Sequence, residues 1–135
     1  MHENFFHKLK VYYEDTDSGG VVYYANYLRF MERARTEFFR RLGYLKPALF
    51  NGFQFVVRDV SVRYLKPAFL DDELSISVAL IGVSRFAFEM SQEIHRFDER
   101  LVIGFVKSVC VEEKNKRLTK MPNKLFELLQ SHTIQ

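Results

Sequence analysis

The chain has no tryptophan, one cysteine and four histidines among 135 residues, and it has no long apolar run. The lone Cys110 excludes an intrachain disulfide and any metal site built on clustered cysteines, and it points to a reducing compartment. His2, His7, His95 and His132 stand at no metal-ligand spacing, so no metal is expected. No stretch approaches the roughly 20 apolar residues of a membrane span. The start, Met1-His2-Glu3-Asn4-Phe5-Phe6-His7, lacks the apolar segment of a signal peptide. A cytoplasmic protein is the expectation. A G-x-S-x-G elbow is also missing. A Cys110–His95 nucleophile pair is disfavoured, because the cysteine sits in an apolar strand where a thiolate is costly; Cys110 reads as a small core residue.

What is present sets the scale of the fold. The length suits one domain over 1–135, and 47% hydrophobic residues supply an ordinary core. Fourteen Phe and seven Tyr suit a thin two-layer domain or a subunit that buries surface against copies of itself. The net charge of +3 is too mild to indicate nucleic acid, since basic and acidic residues are interspersed; a small anionic ligand fits equally well. No internal repeat, low-complexity tract or linker interrupts the chain.

Apolar alternation over Lys8 to Glu14 predicts a first strand, with Leu9, Val11 and Tyr13 on one side. From about Tyr24 the period changes. Tyr27, Met31, Ala34, Phe38 and Leu42 follow helical spacing, and Gly43 ends the helix. Lys46-Pro47 and Asn51-Gly52 mark a loop. Strands then read over Gln54 to Lys66, with Val56, Val60, Val62 and Tyr64 on one face, over Glu73 to Val83, and over Arg85 to Arg96. Leu101 to Val111 reads as a strand buried on both sides. Met121 to Leu129 suits a short closing helix with Pro122 in its first turn and a frayed end behind it. One strand, one long helix and a run of antiparallel strands imply an α+β layer with the helix across one face of the sheet.

The chemistry gathers at Asp15-Thr16-Asp17-Ser18-Gly19-Gly20, an acidic turn that leads into the long helix. The first N–H groups of a helix have no partner inside it and attract anions. A carboxylate beside such donors can activate water or attack an acyl carbon while the donors hold the developing oxyanion. A calcium loop starting at Asp15 fails, because Gly19 and Asn26 stand where ligands are needed. A D-x-D phosphotransfer site fails for want of a further β-α alternation. A purely structural turn, with one Asp capping the helix, remains open on the turn alone.

Tyr13-Glu14-Asp15-Thr16-Asp17-Ser18-Gly19-Gly20-Val21-Val22-Tyr23, Asn26-Tyr27 and Glu32-Arg33-Ala34-Arg35-Thr36-Glu37 resemble the signature of hotdog-fold acyl-CoA thioesterases, in particular the 4-hydroxybenzoyl-CoA thioesterase/YbgC group with its Tol-Pal-associated members. The resemblance continues through Val56-Val57-Arg58 and Tyr64-Leu65-Lys66-Pro67-Ala68 to Asp71-Asp72-Glu73-Leu74, covering about residues 8 to 120. It implies an antiparallel sheet wrapped around one long central helix, hydrolysis of acyl-CoA, no cofactor beyond the CoA of the substrate, and paired subunits, often tetramers. It places the catalytic carboxylate on Asp17, with Asp15 as its neighbour, and the oxyanion donors on backbone N–H groups around Val22, Tyr23 and Tyr24. Many members carry His where this chain has Tyr24, which bears on acyl preference. Tyr13 and Tyr24 are candidates to line the acyl site. Arg63, Lys66 and Arg85 are candidates for the CoA phosphates, with Gly82 and Ser84 allowing backbone approach to the pantetheine arm. An acyl-carrier-protein thioesterase and a non-catalytic acyl-binding or membrane-associated scaffold are the competing readings.

Overall fold

A computed structural model describes residues 5–46 and 50–134. It contains β1 (Phe5–Lys10), α1 (Asn26–Arg41), β2 (Phe53–Tyr64), β3 (Glu73–Val83), β4 (Ala87–Arg96), β5 (Glu99–Glu112) and α2 (Asn123–Ser131). The strands form one antiparallel sheet in the order β1-β3-β4-β5-β2. The α+β class and the helix laid on one sheet face are as the sequence predicts. Strands β3 to β5 match their apolar alternation to within a few residues.

Helix α1 buries Tyr27, Phe30, Met31, Ala34, Phe38 and Phe39. At ~1.5 Å per residue its 16 residues span about 24 Å, enough to cross the sheet. The predicted stripe holds, while Phe30 and Phe39 widen it and Leu42 is only half-buried. Close approach of this helix to the sheet depends on Gly104 in β5, where a Cβ would lie 2.4 Å from Met31 Cε. Beside that contact the fully buried Gln92 donates from Nε2 to Met31 O at 2.9 Å and accepts Arg35 Nη1 at 3.0 Å. Burial lowers the pKa of Arg35 below the usual guanidinium value.

Four expectations are corrected. The first strand ends at Lys10, earlier than the alternation suggests, because Tyr13–Asp15 turn into a short 3-10 helix. In β2 the register shifts between Val57 and Asp59, so Arg58 is an extra residue. Val56 therefore pairs with Val109, while Val60, Val62 and Tyr64 pair with Val106, Gly104 and Val102 on the opposite, helix-facing side. One inserted residue reverses every later side chain. Strand β5 is not buried on both sides along its length, since Phe105 is half-exposed. The chain end is tied down as far as Ile134, whose N–H donates to Leu80 O at 2.8 Å, and Pro122 precedes α2 as its N-cap. Pro47, half of the predicted Lys46-Pro47 loop signal, lies outside the described residues, as do Met1 to Asn4 of the start.

Cys110 is fully buried, and desolvation pushes its thiol up to about 11. Only the thiolate reacts, so a native sample at pH 8 is expected to resist alkylation until denaturant is added. Fast native labelling counted by mass spectrometry would contradict this packing. Because the folded pKa is raised, unfolding gains thiolate as pH climbs from about 9 towards 11, and this contribution to stability is lost over that window.

Candidate active site

The acidic turn is a small hairpin rather than a bare loop. Thr16 pairs antiparallel with Val22, and the Asp17 N–H donates to Val21 O at 2.8 Å. Gly20 closes it at φ +82°, a left-handed conformation that favours glycine. The two carboxylates have different surroundings. Asp15 is 8% exposed, and its Oδ2 accepts the Tyr12 N–H at 2.9 Å while its carbonyl accepts Asn26 Nδ2 at 2.9 Å and the Tyr23 N–H at 3.0 Å. Asp15 thus holds the turn against the helix start. Asp17 is exposed; its Oδ1 accepts the Gly19 N–H at 2.8 Å, and among the described residues no donor reaches Oδ2.

At the start of α1 the free donors are displaced from where the resemblance puts them. The Val22 N–H donates to Ala68 O at 2.9 Å and the Tyr23 N–H to Asp15 O, so neither amide is available. Asn26 and Leu28 close 3-10 turns onto Tyr23 O and Ala25 O at 2.8 and 3.2 Å. The N–H groups of Tyr24 and Ala25 donate to nothing among the described residues. Among the described residues no side chain caps the helix, so among them its positive end stays open at these two amides.

Aromatic side chains surround this end. Tyr24, 62% exposed, lies 4.9 Å from Tyr23 and 6.3 Å edge-on from Tyr64 between ring centroids. The Tyr64 hydroxyl donates to Tyr24 O at 3.3 Å, and the buried Tyr27 hydroxyl accepts the Ala68 N–H at 3.0 Å. Burial raises the pKa of Tyr27 and of Tyr64. Tyr13 is 82% exposed. Tyr64 escaped the sequence reading as a site residue because it sits in an ordinary strand alternation, 40 positions from Tyr24.

The charged candidates divide. Arg63 lies exposed next to Tyr64 at this end of the sheet. Lys66 is also here, but its Nζ pairs with Glu99 Oε2 at 2.7 Å, and hydrogen bonds from Lys66 and then Arg96 hold the Glu99 carboxyl below the usual range. Gly82, Ser84 and Arg85 stand at the other end of β3, about 33 Å along the strand at ~3.3 Å per residue. There Ser84 Oγ accepts the N–H groups of Phe86 and Ala87, and Arg85 hydrogen-bonds Asn123 with its guanidinium 4.6 Å over Phe126. Within one chain these three do not meet Asp17. Among the described residues no group of three His, Cys, Asp or Glu could hold a metal ion, and no helix is long and apolar enough to cross a membrane.

Comparison with known proteins places this geometry. The profile described as Thioesterase-like superfamily matches residues 11–129. The acyl-CoA thioesterase YbgC of Haemophilus influenzae is 39% identical over 114 residues, covering 83% of this chain and 84% of the relative. The acyl-CoA thioester hydrolase YbgC of Escherichia coli is 38% identical over 119 residues, covering 87% and 89%. A crystal structure of a probable thioesterase from Bartonella henselae superposes with a TM-score of 0.81 at 32% identity, covering 90% of this chain and 99% of the other. The chain therefore belongs to the thioesterase-like superfamily, as a hotdog-fold member with YbgC acyl-CoA thioester hydrolases among its relatives.

Proposed function

We propose that the protein hydrolyses acyl-CoA to free acid and CoA, with Asp17 as general base or nucleophile and the Tyr24 and Ala25 N–H groups as oxyanion donors. The observation that carries this reading is a carboxylate oxygen without a donor among the described residues, on a hairpin hydrogen-bonded to a helix start that keeps two amides open among the same residues. Either role needs the carboxylate in nearly the same place. The function is tested by a panel of acyl groups presented on CoA and on acyl carrier protein. Hydrolysis of the CoA series at the higher kcat/KM is expected; preference for the carrier protein would move the assignment to an acyl-carrier-protein thioesterase, and inertness towards both to a binding scaffold. A reducing, cytoplasmic setting belongs to the same proposal.

Tyr24 is positioned to influence acyl preference. Its ring touches Tyr23 at a tilt and Tyr64 edge-on and is mostly in solvent, so Tyr24→His should leave the fold intact while changing turnover or chain preference. Identical kinetics across the panel would show that the ring is a bystander.

The working unit in this proposal is at least a dimer, built on β2. That strand is at the sheet edge, twelve residues long, and exposes Val56, Val57, Val60 and Tyr64. Antiparallel pairing with a copy around a two-fold axis sets the Tyr64 end of one strand beside the Phe53 end of the other. The Phe53 end is the one near Ser84 and Arg85, through the pairings Phe53↔Glu112 and Ala87↔Val109. The far-end candidates of one subunit would then join the partner's Arg63 in serving CoA bound at the partner's Asp17. Light scattering is expected to give a dimer or tetramer at micromolar concentration; a stable, active monomer would defeat this arrangement.

A further inference from the structure

Arg96, at the end of β4, is engaged on several sides. Its side chain is 19% exposed, Nη1 donates to Asp72 Oδ2 at 2.7 Å and to Pro67 O at 3.2 Å, Nη2 pairs with Glu99 Oε1, and the guanidinium carbon stands 5.6 Å over the Phe69 ring. All but Glu99 belong to residues 67–72, the segment between β2 and β3. Asp72 closes that segment on itself: Oδ2 also accepts the Phe69 N–H at 2.8 Å, and the Asp72 N–H donates to Phe69 O at 3.1 Å. Asp71 inside it has φ +70°, a left-handed turn conformation that Asp tolerates better than most side chains.

The same segment is the floor of the Asp17 hairpin. Val21 bridges Phe69, the Val22 N–H donates to Ala68 O at 2.9 Å, and the Leu70 N–H donates to Gly20 O at 3.4 Å. The Asp17 N–H in turn donates to Val21 O. A continuous set of contacts therefore runs Arg96, Asp72, Phe69, Val21, Asp17. Removing Arg96 would leave a part-buried carboxylate at Asp72 without its cation, a costly state that the segment can relieve by turning Asp72 outward and releasing Phe69.

We infer that Arg96 is a positioning residue for the reaction, setting the Asp17 hairpin through Asp72 and the 67–72 segment. This rests on the reading of Asp17 as the catalytic carboxylate. A lysine supplies the charge without the planar fork that reaches Asp72, Pro67 and Glu99 together. Small misplacement of a reacting group costs heavily in rate and little in substrate affinity.

The test measures Arg96→Gln and Arg96→Lys in the wild-type and Asp17→Asn backgrounds, with backbone amide exchange at Val22 and Phe69. Arg96→Gln is expected to lower kcat by about 10-fold with KM moving less than about 3-fold, and Arg96→Lys to recover part of the loss. In the Asp17→Asn background the same change should add less than about 2-fold, because a hairpin without its carboxylate has nothing left to position. Exchange at Val22 and Phe69 should quicken while the β4–β5 core keeps its protection. Equal fold-losses in both backgrounds, or unchanged exchange at Val22, would overturn the inference in favour of an ordinary surface ion pair. Full activity of Asp17→Asn enzyme would instead sink the catalytic reading, and the exchange arm would still decide whether Arg96 holds the hairpin. Should Arg96→Gln fail to fold, Glu99→Gln, which removes the charge of one of its partners, is expected to give a smaller effect of the same kind, and no effect on kcat or exchange would count against the inference.

Discussion

Asp17→Asn protein is expected to fold normally and to lose about 10² to 10⁴ in turnover, the range for removing a general acid–base group, with a larger loss if the carboxylate is the nucleophile. The side chain is exposed and makes one hydrogen bond, from the Gly19 N–H to Oδ1, which an asparagine carbonyl oxygen can also accept. Thermal stability should therefore change little. Asp15 should behave in the opposite sense. Its carboxylate caps the short helix by accepting the Tyr12 N–H, so Asp15→Ala should cost about 0.5–2 kcal/mol of stability, as lost caps do, and Asp15→Asn should reduce turnover less than Asp17→Asn. Near-normal hydrolysis by Asp17→Asn enzyme, with deamidation back to Asp excluded by mass, would end the assignment.

Gly104→Val is expected to give a large stability loss. A Cβ at this position would meet Met31 Cε at 2.4 Å and Sδ at 3.1 Å, and Met31 is fully buried with no solvent into which to retreat. Overpacking of this kind costs about 1–3 kcal/mol when neighbours can shift, and the branched valine adds further atoms to the same space. Pushing the helix away would also strain the bond from Gln92 Nε2 to Met31 O. Denaturant melts should show a lowered midpoint, and Gly104→Ala should lose less because the methionine end is flexible. A wild-type midpoint in Gly104→Val protein would show that the helix does not need this close approach. Since oligomers melt at concentration-dependent midpoints, the comparison needs equal protein concentration.

The parts of this fold that announce themselves in sequence are those where side-chain period and backbone agree. Glu73 to Leu80 alternates without interruption inside a strand that runs Glu73–Val83, and the Tyr27 to Phe38 spacing falls on the buried helix face. What escaped has a physical cause in each case. The bulge at Arg58 inserts a residue without altering composition, so Val56 looked like a partner of Val60 although it faces the other way. The 3-10 turn at Tyr13–Asp15 continues an apolar alternation that the backbone does not follow. At the site, the D-x-D turn and glycines were readable as local chemistry. The identity of the open amides was not, because the Val22 and Tyr23 N–H groups are consumed by Ala68 O and Asp15 O, contacts that depend on tertiary pairing. Tyr64 and Asp72 stood inside stretches that carry the resemblance without a role of their own, and Arg96 carried no local signal, for the same reason.

The strand order also dictates a sequence of events during synthesis. Strand β2 is made early, yet among the strands its hydrogen-bonding partner is β5, and β5 lies between β4 and β2 in the finished sheet. Until residues 99–112 have left the ribosome, β2 has neither of its edges covered by its own chain, while β1 waits for β3. Such non-local pairing is slow and leaves unpaired edges open to other chains. A nascent chain paused before Glu99 would display helix α1 over a half-built sheet with its longest apolar-rich edge open. Codons or chaperones that carry synthesis past Glu112 without delay would favour the native sheet over adventitious strand exchange.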